Sequence, residues 1–350
     1  MMVIDQLETP VALVDLDKLE DNIEGLQKYL DSHGISNWPH IKTHKIPAIA
    51  KNQIAAGAAG ITCQKLGEAE IMAQEGIQDI FLPYNLIGQA KLDRLMRLAE
   101  QIRISVTADS VFVVNGLGGA ARQHTLNLPV LVEFDTGLGR CGVQTPQQAS
   151  DLARRIEQQS HLVFDGLMTY PINEHTGEFV QQTRAILEND AIPIRRVSVG
   201  GTPQMWTAHQ YPFVTEYRAG MYIYGDRYTL RSEAMKLEQV AFSVVTTVVS
   251  RPTPERGILD GGSKTFSSDL VGLDGYGLIL EYPDASLYQL SEEHGFVDFS
   301  ACSEKPDIGD RVTVIPNHCC SVTNLFNEIV AVRDGVVEMI WPVAARGALQ

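Results

Sequence analysis

An α/β fold, a (β/α)8 barrel of the TIM type followed by an antiparallel β domain, is what three observations in the sequence predict. Segments of strand character alternate with segments of helical periodicity through the first two thirds of the chain. The strand segments run into polar or glycine-rich stretches, as barrel strands do where their carboxyl ends line an active site. After about Glu238 the helical periodicity stops, and β-branched runs broken by Gly, Pro and Asp take over.

Val11–Asp15 reads as the first strand and residues 17–32 as the first helix, which makes Trp38–Lys45 the second strand of a β-α-β unit. Further strands are expected at Ile61–Lys65, Phe81–Asn85, Ser105–Asp109, Leu131–Asp135, Leu167–Tyr170 and Val197–Thr202, with a last one near Met221–Tyr224. Between them, Leu66–Glu75, Gln89–Gln101, Pro146–Gln158 and Glu178–Asn189 carry apolar residues at helical spacing, and Thr145 with Pro146 suits an N-cap and first helical position. A barrel takes about 250 residues, so residues 8–235 are assigned to it. Residues 236–350 are assigned to the β domain, on the runs Val240–Ser250, Gly257–Asp260, Gly277–Glu281, Arg311–Ile315 and Glu328–Val332.

With 28 basic and 43 acidic residues the net charge is −15, which repels nucleic acid and anionic membranes. No apolar run approaches the roughly 20 residues of a membrane span. The amino terminus lacks the basic start and apolar core of a signal peptide, so a cytoplasmic protein is expected. Five cysteines, an odd number that includes the adjacent Cys319 and Cys320, do not make a disulfide framework.

Lys42 stands between Ile41 and Thr43, with His40 and His44 on either side. Burying an ammonium costs on the order of several kcal/mol unless it is paired or neutralised. A lysine at the carboxyl end of a barrel strand is where a Schiff base to pyridoxal phosphate can form; the plainer alternative is a strand-end lysine that reaches solvent. Gly200-Gly201-Thr202 and Arg218-Ala219-Gly220-Met221-Tyr222 offer backbone N–H groups for a phosphate, or simply tight turns. Gly137-Leu138-Gly139-Arg140-Cys141-Gly142 matches a dinucleotide-binding pattern, but its third glycine lies before the expected helix start at Pro146 rather than in the opening turn. Its arginine suits a phenolate or carboxylate better than a pyrophosphate.

These residues together resemble the fold-type III pyridoxal phosphate enzymes related to alanine racemase, and within them the D-threonine aldolase and D-serine dehydratase family. The resemblance runs over nearly the whole chain: Thr9-Pro10, residues 39–45, Gly60-Ile61-Thr62-Cys63-Gln64-Lys65 with Glu68-Ala69, residues 135–142, Gly200-Gly201-Thr202, Glu293-His294-Gly295, residues 316–320 and residues 341–347. It implies that Lys42 carries pyridoxal 5'-phosphate and exchanges protons with the substrate; Tyr170 is either a catalytic residue beside it or a plain core or rim tyrosine. Phosphate contacts would come from Gly201, Thr202, Gly220, Met221 and Tyr222. Arg140 would lie near the phenolic oxygen and Arg218 would face the pyridine nitrogen, where a guanidinium that cannot accept a hydrogen bond discourages ring protonation. Family members follow the tyrosine closely with a histidine and a glycine, whereas here Pro171-Ile172-Asn173 follows Tyr170. On this resemblance a base there would have to be replaced, by His175 or a metal-bound hydroxide.

His318 and Cys320, two apart, leave one face of an extended segment. The resemblance makes them ligands of a divalent metal; the thiol favours zinc over manganese or magnesium. Such a metal would bind the β-hydroxyl of a D-amino acid. Retro-aldol cleavage of a D-threonine-like substrate is the leading expectation and D-serine or D-threonine dehydration the alternative, ahead of racemisation or non-catalytic cofactor binding. A homodimer is expected from the same resemblance.

Overall fold

Val11–Asp15 (β1), read above as the first barrel strand, instead joins a second sheet. Its Val11–Val14 pair antiparallel with Phe242–Val245, and Leu13–Asp15 run parallel to Val330–Val332. A short apolar strand before an amphipathic helix looks the same in either sheet, and partners more than 200 residues away decide it. The computed structural model describes residues 2–350.

The chain forms two compact units. One takes in Leu26–Lys42, Ile49–Gly220 and Ala348–Gln350 and is the barrel. Its parallel strands are β2 (Ser36–Asn37), β3 (Ile61–Thr62), β4 (Asp79–Leu82), β5 (Arg103–Ala108), β6 (Leu128–Glu133), β7 (Leu162–Met168), β8 (Arg196–Gly200) and β9 (Glu216–Arg218). They run in the order β2-β9-β8-β7-β6-β5-β4-β3. A parallel bridge between His40 and Thr62, with Thr62 N donating to Pro39 O at 2.8 Å, brings β3 back to the β2 segment and closes the ring. Residues 221–224, expected as the last strand, contain a 3-10 turn at Met221–Ile223; the strand is the preceding Glu216–Arg218.

Helices alternate with the strands: α1 (Leu16–Ser32), α2 (Pro47–Ala55), α3 (Leu66–Gln74), α4 (Gln89–Ala99), α5 (Val111–His124), α6 (Pro146–Glu157) and α7 (His175–Glu188). At α6, Thr145 Oγ1 accepts from Gln148 N at 3.2 Å and Pro146 takes the first turn. Its Ala149, Leu152, Ala153 and Ile156 are buried, the stripe that helical spacing requires. Neither α2 nor α5 stands out in the sequence. In α5, Gly118 faces the end of the Gln159 side chain, whose oxygen lies 2.8 Å from where a Cβ would stand.

The other unit takes in the chain up to Gly25, Thr43–Ala48 and Met221–Gly347. With β1, its strands are β10 (Phe242–Ser250), β11 (Arg256–Leu259), β12 (Gly277–Ile279), β13 (Ser286–Leu290), β14 (Gly295–Asp298), β15 (Arg311–Pro316), β16 (Glu328–Arg333) and β17 (Val336–Pro342). Every pairing among them is antiparallel except β1 with β16. Leu13, Val245, Val330 and Val332 form one core cluster of this unit, with Ile4, Leu7, Val11 and Val337 packed against it. Short helices α8 (Arg227–Arg231), α9 (Ser263–Phe266) and α10 (Cys319–Thr323) complete it.

Inside the barrel, near the amino ends of its strands, Arg196 is held by two carboxylates. It bonds Glu216 at 2.8 and 2.9 Å and Asp165 at 2.8 Å, and lies 5.1 Å from the Trp38 ring and 5.2 Å from that of Phe81. Glu216 is almost inaccessible to water. Removing one partner of a buried ion pair typically costs about 3–5 kcal/mol. Arg196→Met is therefore expected to lose about that much stability in urea unfolding at neutral pH. An unchanged midpoint would contradict this.

Candidate active site

At the carboxyl end of the barrel, Lys42 lies in a 3-10 turn (Ile41–Thr43) beyond β2 rather than within a strand. Its backbone N–H donates to His40 Nδ1 at 3.4 Å, and His40 Nε2 is 3.0 Å from Gln64 Oε1. The Lys42 ammonium is 5.7 Å from the centre of the Tyr170 ring. Arg140 approaches the same ring at 5.2 Å, so two cations converge on one half-buried tyrosine.

Asp135 places Arg140. Its Oδ1 accepts from the backbone N–H groups of Gly137, Leu138 and Gly139 at 3.0, 2.9 and 3.2 Å, which folds the loop after β6 back on itself. Gly137 and Gly139 have φ of +109° and +70°, a conformation that side chains resist. His175, the alternative base, is exposed at the start of α7, 3.8 Å from Glu174.

Arg218, the last residue of β9, is buried. Its guanidinium donates to Ser198 Oγ and, at 3.0 Å, to Thr169 O, and lies 5.5 Å from the Phe81 ring. Burial lowers its pKa to about 10 against the pull of Glu216 and Glu133, so it stays charged at neutral pH. Glu133, the last residue of β6 and also buried, was not singled out in the sequence. Burial pushes it up to about 7; Arg140 and Arg218 oppose the shift, and Asp109 and Asp135 add to it. The signal was available: a carboxylate in an apolar strand poses the same question as a lysine in one.

At the end of β8, Gly201 has φ +128°, and a Cβ there would fall 2.7 Å from Gln204 Oε1. That oxygen is buried without a hydrogen-bond partner among the described residues. Thr202 opens the 3-10 turn Thr202–Gln210, and Tyr217 OH donates to Gly201 O at 2.6 Å. Gly220 closes the barrel unit. Met221 and Tyr222 begin a further 3-10 turn, Met221–Ile223; the first N–H groups of such turns have no acceptor inside them.

In the β unit, His318 immediately precedes α10. The pair with Cys320 therefore converges at a helix start, not by alternation on an extended segment. His318 Nδ1 is 2.6 Å from Asp269 Oδ2, which also accepts from Ser321 Oγ at 3.1 Å. With Nδ1 given to Asp269, Nε2 is the nitrogen left for Cys320. Burial disfavours the imidazolium, but Cys320, Asp269 and Asp226 outweigh it and raise His318 to about 10. Cys320 Sγ is 3.3 Å from Thr43 Oγ1, and Thr43 follows Lys42 in the chain. Cys319 is buried, and its N–H donates to the buried Asp226 at 2.9 Å. Among the described residues no three His, Cys, Asp or Glu side chains are grouped to hold a metal. Asp269, which sequence reading missed, lies 49 residues from His318 in a loop without periodic signal.

The alanine racemase N-terminal domain family matches residues 14–228, and the putative serine dehydratase domain matches residues 241–332. The chain belongs to the D-threonine aldolase and D-serine dehydratase family of alanine racemase-like proteins. Within it, the chain is 33% identical to a D-threonine aldolase of Arthrobacter sp over 98% of its own length and 93% of the relative's. A 3-hydroxy-D-aspartate aldolase of Paracoccus denitrificans (strain Pd 1222) is 31% identical over the same shares. The solved structure of D-threonine aldolase from Filomicrobium marinum superposes with a TM-score of 0.93, at 28% identity over 100% of both chains.

Glu133 gives this family member a pH signature. Its folded-state pKa lies above the ordinary carboxylate value of 4.5, so the folded state binds the extra proton. The stability this contributes is full below about pH 4.5 and is lost as pH rises through about 7. Glu133→Gln is expected to remove that decline, measured by urea unfolding between pH 5 and 8. The same slope in both proteins would refute it.

Proposed function

We propose that this chain is a pyridoxal phosphate- and divalent-metal-dependent lyase that cleaves D-β-hydroxy amino acids of the D-threonine type by a retro-aldol reaction. The observation that carries the reading is the Lys42 ammonium at a barrel-strand end, facing Tyr170 and sharing its ring with Arg140. Gly201, whose φ of +128° leaves the backbone without a Cβ at the strand end, suits close approach of the cofactor's phosphate, together with Thr202, Gly220, Met221 and Tyr222. Bound there, pyridoxal phosphate supplies an electron sink for the pair released at Cα. Arg218, a buried donor, would hold the cofactor at its ring nitrogen in this reading, and Arg140 at its phenolic oxygen.

His318 and Cys320 suit a divalent ion, since one imidazole nitrogen and one thiol are turned toward each other while Asp269 fixes the second nitrogen. Such an ion supplies Lewis acidity at the β-hydroxyl, and the thiol favours zinc. The β-hydroxyl would pass its proton to a base, His175 in this reading, the Cα–Cβ bond would break and Cα would take up a proton, so D-threonine would yield glycine and acetaldehyde. Lys42 Nζ delivers the proton to Cα, and Tyr170 holds the approach beside it. A second reading, loss of the β-hydroxyl to give a keto acid and ammonia, draws support from the serine dehydratase domain match over the segment that carries His318 and Cys320. We assign residues 8–235 the cofactor and 236–350 the metal, in a cytoplasmic homodimer. No helix among the described residues is long and apolar enough to cross a membrane.

Incubating metal-loaded protein with D-threonine while assaying acetaldehyde, 2-oxobutanoate and L-threonine separately decides the reaction. Acetaldehyde supports the aldolase reading; 2-oxobutanoate moves the assignment to dehydration and L-threonine to racemisation. Borohydride is expected to fix pyridoxal phosphate on Lys42, and Lys42→Ala to abolish both label and turnover. Label on a different lysine would overturn the site. Chelation should stop turnover with the cofactor retained, and Asp269→Asn should weaken zinc binding by about 10- to 100-fold in calorimetry. Full turnover in metal-free protein would eliminate the metal's role.

A further inference from the structure

The Gln64-Lys65 stretch takes no part in the chemistry above, yet it is tied to Lys42 by consecutive bonds. The bridge between His40 and Thr62 holds the segment that leads into Lys42 beside the one that leads into Gln64 and Lys65. His40 accepts from Lys42 N–H and donates to Gln64 Oε1, and Gln64 Nε2 donates to Pro83 O at 3.3 Å. The next residue is Tyr84. Lys65 Nζ donates to Tyr84 OH at 3.0 Å and stands 4.1 Å from the centre of its ring.

Among the described residues no carboxylate is paired with this ammonium, which rests on the hydroxyl and ring of Tyr84 alone. The acid nearest in sequence, Glu68, turns Oε2 to the backbone N–H groups of Gln64 and Lys65 at 2.7 and 3.1 Å. Lys65 and Tyr84 are each half-buried at the carboxyl ends of adjacent strands. The end of the barrel that carries active sites thus holds a cation that is positioned but not neutralised.

We propose that Lys65, steadied by Tyr84, binds the α-carboxylate of the amino-acid substrate; this rests on the reading of Lys42 as the cofactor lysine. A substrate that reacts through its amine at Lys42 carries its carboxylate two bonds from that nitrogen, within reach of the adjacent strand end. One of the three N–H groups of Lys65 goes to Tyr84, which leaves two for carboxylate oxygens. Arg218 is buried against Ser198 and Thr169, and Arg140 lies over Tyr170. Anchoring the carboxylate fixes rotation about the N–Cα bond and with it the bond at Cα that is presented for cleavage.

The test uses the cofactor-loaded protein and follows its visible absorbance during titration with glycine and, separately, glycinamide, which lacks the carboxylate. Lys65→Met is expected to weaken glycine binding by about 10- to 100-fold, the range of a charge-assisted hydrogen bond, and to leave glycinamide within about twofold. Lys65→Arg should recover most of the loss, and Tyr84→Phe, which keeps the ring face, should lose only about two- to fivefold. Equal binding of glycine by Lys65→Met and the parent overturns the proposal. So does an equal loss for glycine and glycinamide, which marks a structural role. A parent protein whose spectrum answers to no amino acid overturns the cofactor reading itself, and the proposal with it.

Discussion

Two guanidiniums share one aromatic ring inside the barrel, one half-buried and one buried, and the protein must supply most of the solvation of both. Phe81 lies 5.2 Å from Arg196 and 5.5 Å from Arg218. The solutions differ by end. Near the amino ends of the strands Arg196 is matched by the carboxylates of Glu216 and Asp165. Near the carboxyl ends Arg218 rests on a hydroxyl and a carbonyl, with Glu133 drawn up to about 7 by burial. One cation is neutralised and serves stability. The other keeps its charge for whatever binds beside it, the division of labour expected between the two faces of such a barrel.

Much of this was legible in the sequence, because barrel strands and helices announce themselves by period. Four helices lie within a few residues of their expected bounds. What failed was non-local. The β1 residues Val11–Asp15 satisfy either sheet, and Val245 and Val330 decide between them. The last barrel strand, Glu216–Arg218, was passed over for the apolar Met221–Tyr224 because hydrophobic pattern cannot see that a glutamate is paired. Glu216 is buried through Arg196, a partner 20 residues earlier.

The candidate site divides in the same way. Lys42, Arg140 and Tyr170 were named from the sequence and lie around one ring. His318 and Cys320 were named for alternation along a strand, and they meet instead at the opening of a short helix. Asp269 and Glu133 were not named. Asp269 comes from a loop with Val271 at φ +44°, an outlying conformation for a β-branched residue, and no periodicity marks it. Strain of that kind belongs where a side chain must be delivered to a particular atom, here Nδ1 of His318.

The loop that carries Arg140 has one more consequence. Consecutive amides curling around a point make a receptor for negative charge, and a glycine pattern in a sequence is usually taken as notice that such a receptor stands vacant. Here the chain supplies its own tenant: the Asp135 carboxylate occupies the bowl formed by the Gly137, Leu138 and Gly139 amides. A pyrophosphate arriving there would meet a resident anion. The same spacing of glycines is thus self-sealed by an aspartate two positions upstream, and what the loop presents outward is the positive charge of its arginine rather than a row of unclaimed N–H groups.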